Sequence, residues 1–272
     1  MTTPVHIIIV THNSEDVLPI CLSHIDQQTY SVSSIIIVDS GSESTAYLDT
    51  LEPSKIIRII KTENRGFSSG NNLGFREIDS SSGVVIFLNP DAFLSTDYIR
   101  KAISLLDTNS LAAIVSGKLL GYDAQKNRAT GKIDSTGIFR KWYGRWYDRG
   151  IGEEDCHRYD CSDTPLAVCG ALMFCRMEAL QKYDGQVFDE EFFLYKEDIE
   201  LSLRLRRDGW QLLYDPDLIA YHCRGWKPKR KNIPFETRLI AAKNEVLLYQ
   251  KHPSPYILWA ILKLLLVKIA RA

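Results

Sequence analysis

Short apolar runs rich in β-branched residues alternate with longer helical stretches through the first half of the chain. The runs with strand character are residues 5–10, 34–39, 55–60, 84–88 and 112–116. The stretches between them with helical length and composition are 16–28, 42–51, 67–78 and 97–106. Near-continuous apolar strands separated by helices predict βαβ units. We therefore expect an α/β fold, with a Rossmann-like, mostly parallel central sheet flanked by helices.

The second half of the chain has a less regular pattern. Residues 117–164 are rich in glycine and charge and include an aromatic run at 142–147, which predicts a long functional or mobile loop. Its aromatic side chains could stack on a sugar or a base, or simply pack the loop down. Regular structure is expected again at 166–174 and 211–221. Residues 197–208 alternate like a strand, but their acidic start, basic end and following Gly209 favour a helix.

The composition excludes several classes of protein. With 45% hydrophobic and 25% charged residues, the chain has the composition of a soluble globular protein. Its 33 basic and 34 acidic side chains give a net charge of −1, without the basic excess of a nucleic-acid-binding protein. The six cysteines lack zinc-ligand spacing, and no secretory leader is apparent. We therefore expect reduced thiols in a cytoplasmic protein.

Polar residues follow four of the predicted strands. They are the segments 11–13, 39–42, 64–66 and 89–91. Ligands bind at the carboxyl ends of the strands in sheets of this kind. A purely structural chain would also place turn residues there, but four polar segments at one edge favour a ligand site.

A carboxylate directly after the most apolar strand is a candidate metal ligand. Asp91 follows residues 84–88 through Asn89-Pro90 and would be held rigidly at the end of a buried strand. Such a group suits a hard divalent cation that also contacts substrate phosphates. The alternative is an Asx or proline turn without a ligand.

Five carboxylates bracket an aromatic cluster in residues 189–198, just before the predicted helix. A carboxylate at this helix start can act as a general base if the fold points it into a cleft. The alternative is a solvated acidic helix cap.

Three glycines spaced by four residues would lie along one face of the helix at 67–78. They are Gly66, Gly70 and Gly74. Since glycine in a helix costs about 1 kcal/mol relative to alanine, the spacing predicts that another backbone or a ligand approaches closely. Neither a G-x-G-x-x-G dinucleotide motif nor a G-x-x-x-x-G-K phosphate loop occurs in the chain.

Six segments, in order, resemble the motifs of family 2 glycosyltransferases of the GT-A fold, most closely their bacterial rhamnosyltransferase-like branch. They are V-T-H-N at 10–13, V-D-S-G-S at 38–42, E-N-R-G-F-S-S-G-N-N at 63–72, L-N-P-D at 88–91, C-G-A-L-M at 169–173 and F-L-Y-K-E-D-I-E-L at 193–201. The resemblance covers about residues 5–222. It implies a GT-A catalytic domain at 1–222, with nucleotide-sugar binding at about 1–116 and acceptor binding and catalysis at about 117–222. A C-terminal helical extension would occupy 223–272.

The resemblance also implies the residues of a donor site. They are Thr11, Asn13, Asp39, Arg65, Gly66, Asn71, Asn89 and Asp91. The first three would line the base pocket, with Asp39 facing the pyrimidine imide, whereas Arg65, Gly66 and Asn71 would lie near the ribose, diphosphate or donor sugar. The first position of the family's D-x-D motif is Asn89, as is common in the rhamnosyltransferase branch.

The resemblance further implies how the reaction is catalysed. Asp91 would bind Mg²⁺ or Mn²⁺, and Asp198 would be the catalytic base of an inverting transfer. His222 would supply a further metal or diphosphate ligand, the alternative being an ordinary packed side chain.

The implied activity is transfer of L-rhamnose from dTDP-L-rhamnose to a saccharide or lipid-linked acceptor in bacterial cell-surface polysaccharide biosynthesis. A UDP-hexose or UDP-N-acetylhexosamine is the alternative donor. A nucleotidylyltransferase would need a glycine-rich basic loop after the first strand, which residues 11–16 do not provide. A non-catalytic carbohydrate-binding protein is the remaining alternative, and the presence of Asp39, Asp91 and Asp198 argues against it.

Residues 256–267 form the most apolar stretch, which is too short to span a bilayer and is interrupted by Lys263. The cations around it are Lys227, Lys229, Arg230, Lys231, Lys268 and Arg271. Together with Trp259 they predict a helix lying in a membrane surface and attracted to anionic lipid. We therefore expect peripheral contact with the cytoplasmic face of the inner membrane. The alternative is a helix docked on the domain or in a homodimer interface.

Overall fold

The computed structural model describes residues 2–51, 56–223 and 234–269. The first half contains the predicted alternation of strands and helices. These elements are β1 (Val5–Thr11), α1 (Leu18–Asp26), β2 (Ser34–Ser40), α2 (Ala46–Asp49), β3 (Ile57–Thr62), α3 (Gly66–Arg76), β4 (Val84–Leu88), β5 (Ala92–Leu94) and α4 (Tyr98–Thr108). Helix α2 is shorter than predicted at both ends, and β5 is a short strand that the hydrophobic pattern did not indicate.

The second half contains more strands than the sequence predicts. Its elements are β6 (Ala112–Asp123), β7 (Arg128–Ser135), β8 (Ile138–Arg140), β9 (Trp146–Asp148), β10 (Leu172–Arg176), α5 (Met177–Leu180), α6 (Glu197–Arg207), β11 (Gln211–His222), α7 (Phe235–Lys251) and α8 (Ile257–Ile269). The expected helix at 197–208 is therefore confirmed as α6.

The predicted loop at 117–164 is wrong over much of its length. Strand β6 continues to Asp123, turns back as β7, and is followed by the β8–β9 hairpin. The first five residues of β7 are exposed, so they need not be apolar. Because strand prediction relies on apolar alternation, a largely exposed strand such as β7, which pairs with the edge of β6, escapes it.

The main sheet has nine strands and the order β3-β2-β1-β4-β10-β6-β11-β5, with β7 paired to β6. Strands β3, β2, β1 and β4 are parallel, as are β6 and β11. Strand β10 runs antiparallel between β4 and β6, and β5 runs antiparallel to β11. The carboxyl ends of β1, β2, β4 and β11 therefore lie at one edge of the sheet.

The glycine face of α3 packs directly on β1. A Cβ atom on Gly70 would lie 2.8 Å from Cγ1 of Val10, and one on Gly74 would lie 2.6 Å from Cγ2 of Ile8. Gly66 has φ +76° and lies against the backbone oxygen of Phe193. The predicted close approach is thus made by a backbone at Gly66, by the half-buried side chain of Val10 at Gly70 and by the buried side chain of Ile8 at Gly74.

Helices α7 and α8 pack on each other and on the β8–β9 hairpin. The hydroxyl of Tyr249 donates to the carbonyl of Gly144 at 2.7 Å, and Lys263 pairs with the buried carboxylate of Glu245. The six cysteines all lie in the described residues, and no disulfide joins any of them. None of the described helices combines the length and the apolar character needed to cross a bilayer.

Candidate active site

A cleft of about 460 Å³ opens at the carboxyl edge of the sheet. Its walls come from the segments after β1, β2, β3 and β4, from the start of α3 and from the turn at Phe193. Five of the predicted donor-site residues line it: Thr11, Asn13, Gly66, Asn89 and Asp91. The other three, Asp39, Arg65 and Asn71, lie outside the lining.

Asp39 is the centre of a buried hydrogen-bond network behind the cleft wall. Its side chain is 1% exposed. Oδ2 accepts from the hydroxyls of Ser42 at 2.5 Å, Tyr47 at 3.0 Å and Thr11 at 3.2 Å, and Oδ1 accepts from the Ser42 N–H at 3.1 Å. The carboxylate therefore faces the protein's own donors, and contact with a pyrimidine stays a prediction. The sequence gives no signal for the role of Tyr47, which lies on α2.

Asn13 fixes the loop after β1 to the loop after β2. It has φ 50°, in the left-handed region that asparagine tolerates. Its side-chain oxygen accepts from the Glu43 N–H at 2.8 Å, and its own N–H donates to the Ser42 hydroxyl at 2.8 Å. Two of the four polar segments are thus held together as one wall.

Arg65 and Asn71 do not line the cleft, and their side chains contact other parts of the protein. Arg65 is exposed and pairs with exposed Glu63 at 3.1 Å, a contact that contributes little energy. Asn71 is 1% exposed, and its amide donates to the carbonyl of Phe67 within α3 at 3.0 Å. Their contact with a donor molecule stays a prediction.

Asp91 and His222 meet at the same edge, from the ends of β4 and β11. Oδ1 of Asp91 lies 3.3 Å from Nε2 of His222, whose Nδ1 lies 2.8 Å from Oδ2 of buried Asp134. Burial alone would lower the pKa of His222, but hydrogen bonds to Asp134 and Asp91 outweigh it and raise the pKa to about 9. Asp134 lies on β7, in the stretch expected to be a loop, so sequence analysis missed it.

The Asp91–His222 pair fits one divalent cation. A metal would replace the proton on Nε2 of His222 while Asp134 continues to accept from Nδ1–H, which is the usual support of a metal-binding histidine. If Oδ1 of Asp91 and Nε2 of His222 each bound one metal ion at about 2.1 Å in neighbouring coordination positions, the two atoms would lie about 3 Å apart. The observed distance of 3.3 Å is close to this value. In the described part of the chain, no group of three or more His, Cys, Asp or Glu side chains is arranged to hold a metal ion. Water and substrate phosphates would therefore complete the coordination.

Asp198 lies in the first turn of α6. Its Oδ2 accepts from the N–H of Gly170 at 3.0 Å and its Oδ1 from the N–H of Ile199 at 2.8 Å. Burial raises the pKa of Asp198, opposed by the charge of Lys196 and by these two hydrogen bonds. A carboxylate whose pKa is shifted toward neutrality is suited to accept a proton. The pKa of adjacent Glu197 is raised to about 8 by its burial and by the charge of Asp198.

Asp198 and the Asp91–His222 pair are linked through the backbone. Asp198 is bonded to Gly170, and the carbonyl of the next residue, Ala171, accepts from the N–H of Asn89 at 2.9 Å. Three of the six motif segments therefore meet at this point. A carboxylate of raised pKa and an Asp–His pair whose spacing fits a cation are thereby connected through Gly170, Ala171 and Asn89.

The chain is similar in sequence to known glycosyltransferases. The family model described as glycosyl transferase family 2 matches residues 6–183. Rhamnosyltransferase WbbL of Escherichia coli (strain K12) is 26% identical over 227 residues, which cover 80% of this chain and 83% of the relative. The N-acetylglucosaminyl-diphospho-decaprenol L-rhamnosyltransferase of Mycobacterium tuberculosis (strain CDC 1551 / Oshkosh) is 22% identical over 237 residues, 82% of this chain and 76% of the relative.

A solved structure supports the fold. The mannosyltransferase PcManGT from Pyrobaculum calidifontis, in complex with GDP-Man and Mn²⁺, matches with a TM-score of 0.62 at 18% identity. The match covers 99% of this chain and 75% of that one. The predicted GT-A type of α/β fold with C-terminal helices is thereby confirmed.

We expect Asp39→Ala to lower the free energy of unfolding by roughly 2–4 kcal/mol, because the buried hydroxyl of Thr11 and the half-buried hydroxyls of Ser42 and Tyr47 lose a charged acceptor. Urea denaturation measures this change. Asp49→Ala is the matched control: Asp49 lies nearby on α2, but its ion pair with Lys61 is exposed, so we expect a change within about 0.5 kcal/mol. Equal stability of the two variants would contradict a structural role for the Asp39 network.

Proposed function

This chain belongs to glycosyl transferase family 2, and we propose that it transfers L-rhamnose from dTDP-L-rhamnose to a hydroxyl of a saccharide or lipid-linked acceptor, with inversion at the anomeric carbon. The observation that carries the proposal is the joint placement of Asp198 and the Asp91–His222 pair at the carboxyl edge of the sheet. The names of the two curated relatives support rhamnose as the sugar.

The proposed chemistry is a single displacement. Asp198 takes the proton of the acceptor hydroxyl while the oxygen forms a bond to the anomeric carbon. The bond from that carbon to the diphosphate oxygen breaks, and its electron pair leaves with the nucleoside diphosphate. Since the acceptor attacks the face opposite the leaving group, the configuration inverts. The raised pKa of Asp198 favours its role as the base.

Asp91 and His222 would hold Mg²⁺ or Mn²⁺, with Asp134 orienting the imidazole. A bound cation supplies positive charge to the departing diphosphate. The fit of the two side chains to neighbouring coordination positions supports this assignment, as does the Mn²⁺ in the structurally similar mannosyltransferase.

The nucleotide would lie in the cleft. Thr11 and Asn13, in the cleft wall, would contact the base. Asp39, which lies behind Thr11, would face the pyrimidine imide. Arg65, Gly66, Asn71 and Asn89 would lie along the ribose, diphosphate and sugar. Four of these residues line the cleft, which supports the assignment: Thr11, Asn13, Gly66 and Asn89.

The apolar face of α8 supports peripheral contact with a membrane. Its outward residues are exposed by 42–73% and follow helical spacing: Leu258, Ile261, Leu262, Leu265, Leu266 and Ile269. Lys263, expected to interrupt the apolar run, instead turns inward to Glu245. Of the predicted flanking cations, Lys268 is exposed, whereas Lys227, Lys229, Arg230, Lys231 and Arg271 lie outside the described residues.

Asp198→Asn tests the proposed function. We expect the variant to fold and to bind dTDP as the unmodified protein does, but to lose transfer by about 10²–10⁴-fold, because the carboxamide cannot accept the proton. The measurement is nucleoside-diphosphate release from a panel of dTDP-, UDP- and GDP-sugars. Near-normal turnover by the variant would remove Asp198 from the mechanism, and a UDP-sugar as the preferred donor would replace the rhamnosyl assignment.

Variants of Asp91 and Asp134 test the proposed metal site. We expect Asp91→Ala to abolish Mn²⁺-dependent binding of dTDP in calorimetry, and Asp134→Asn to weaken it by about 10–100-fold because His222 loses its support. Asp107→Ala is the control, since this exposed carboxylate lies at the end of α4 near the opposite sheet edge. Unchanged Mn²⁺ dependence in Asp91→Ala would place the metal elsewhere.

We expect the protein to sediment with anionic phosphatidylglycerol vesicles and to be released by salt, because apolar insertion and cationic attraction act together. Leu262→Asp/Leu265→Asp should abolish sedimentation while dTDP binding is retained. Leu111→Asp is the control, because this leucine is also exposed but lies before β6, at the other edge of the sheet. Equal sedimentation of all three proteins would contradict membrane contact through α8. A dimer in light scattering that only the double variant dissociates would assign this face to a homodimer.

A further inference from the structure

The turn that leads into α6 is strained. Tyr195 has φ 73° and Lys196 has φ 78°, two consecutive non-glycine residues in the left-handed region. Each such residue costs about 1–2 kcal/mol, and the conformation persists only where the surroundings hold it. Asp198 follows two residues later, so the geometry of this turn decides where its carboxylate lies.

The first half of the turn is held by α3. The hydroxyl of Ser68 donates to the carbonyl of Phe192 at 2.5 Å, and the N–H of Phe67 donates to the carbonyl of Phe193 at 2.9 Å. Helix α3 begins at Gly66, which lines the cleft. This side of the turn is therefore fixed to the donor site.

The second half of the turn is held by one side chain of α7. The amide nitrogen Nδ2 of Asn244 donates to the carbonyl of Leu194 at 2.9 Å and to the carbonyl of Tyr195 at 3.0 Å. Asn244 is 8% exposed, so water does not readily replace these bonds. Four consecutive carbonyls, from Phe192 to Tyr195, are thus each bonded to a group outside the turn.

Helix α7 is itself fixed against the same region. Lys251 pairs with Asp189 at 2.6 Å and with Glu191, on the segment that leads to the turn. Tyr249 is anchored to Gly144 in the β8–β9 hairpin. The helix lies outside the residues 6–183 that the family model matches, so its contact with the turn is not part of the matched region.

We propose that Asn244 is a positioning residue for the transfer reaction: its amide holds the strained turn so that Asp198 faces the acceptor hydroxyl. The proposal rests on the proposed function of Asp198 as the base. Without the two N–H donors of the Asn244 amide, Tyr195 and Lys196 can leave the left-handed region. The start of α6, which follows directly, would then shift as well. A displacement of about 1 Å at a reacting group can lower a rate by about 100-fold.

Asn244→Ala tests the proposal. We expect kcat for nucleoside-diphosphate release to fall by about 10–100-fold, measured with the nucleotide sugar that the unmodified protein turns over fastest. The Kd for dTDP should stay within about twofold, because α3 still holds the donor side of the turn. A general loss of structure would instead lower activity and nucleotide binding together.

Two further variants complete the experiment. Tyr249→Phe removes one buried hydrogen bond from the same helix but does not touch the turn, so we expect kcat to stay within about twofold. Asn244→Asp keeps the size of the side chain but presents an acceptor to two carbonyl oxygens, so we expect a loss at least as large as in Asn244→Ala. Wild-type kcat in both Asn244 variants would overturn the proposal.

The outcomes also separate this proposal from the function on which it rests. An active Asp198→Asn would overturn the assignment of the base. An inactive Asp198→Asn together with fully active Asn244 variants would overturn only the positioning role.

Discussion

The close packing of α3 on β1 is the contact on which the site depends. Gly70 and Gly74 have no side chain to separate the helix from Val10 and Ile8, so α3 lies directly on the sheet. This contact brings the start of α3 to the carboxyl edge, where its backbone and Ser68 hold the turn before α6. The same helix thus forms one wall of the cleft and fixes the approach to Asp198.

Local patterns in the sequence were sufficient to predict the first half of the fold, apart from the short strand β5 and the exact length of α2. Parallel strands such as β1 and β4 are buried on both faces, so their apolar runs are continuous and easily recognised. Strand β7 could not be found in this way, because its first residues are exposed and only its end at Asp134 is buried. The resemblance implied roles for Asp91, His222 and Asp198, and these roles stay predictions; the structure shows that Asp91 and His222 are in contact at 3.3 Å and that Asp198 is bonded to Gly170.

The supporting residues could not be predicted because their partners are distant in the sequence. Asp134 meets His222 across 88 residues, and Asn244 meets Leu194 across 50 residues. No periodicity or spacing indicates such contacts, since each depends on how separate elements pack. The direction of the Lys263 side chain could not be predicted for the same reason. Its charge interrupts the apolar run in the sequence, but in the structure it lies between α7 and α8.

The antiparallel insertion of β10 has a consequence for synthesis of the protein. Strand β4 pairs with β10, and Leu88 lies opposite Leu172. While the ribosome is still translating the residues between β4 and β10, β4 is the edge strand of the parallel sheet β3-β2-β1-β4. The backbone groups of β4 that later pair with β10 then have no partner strand, and its side chains are apolar. Such an edge can pair with other nascent chains, and its long-range closure is slow. The interval between completion of β4 and emergence of β10 is therefore the one in which the nascent chain exposes this edge to aggregation.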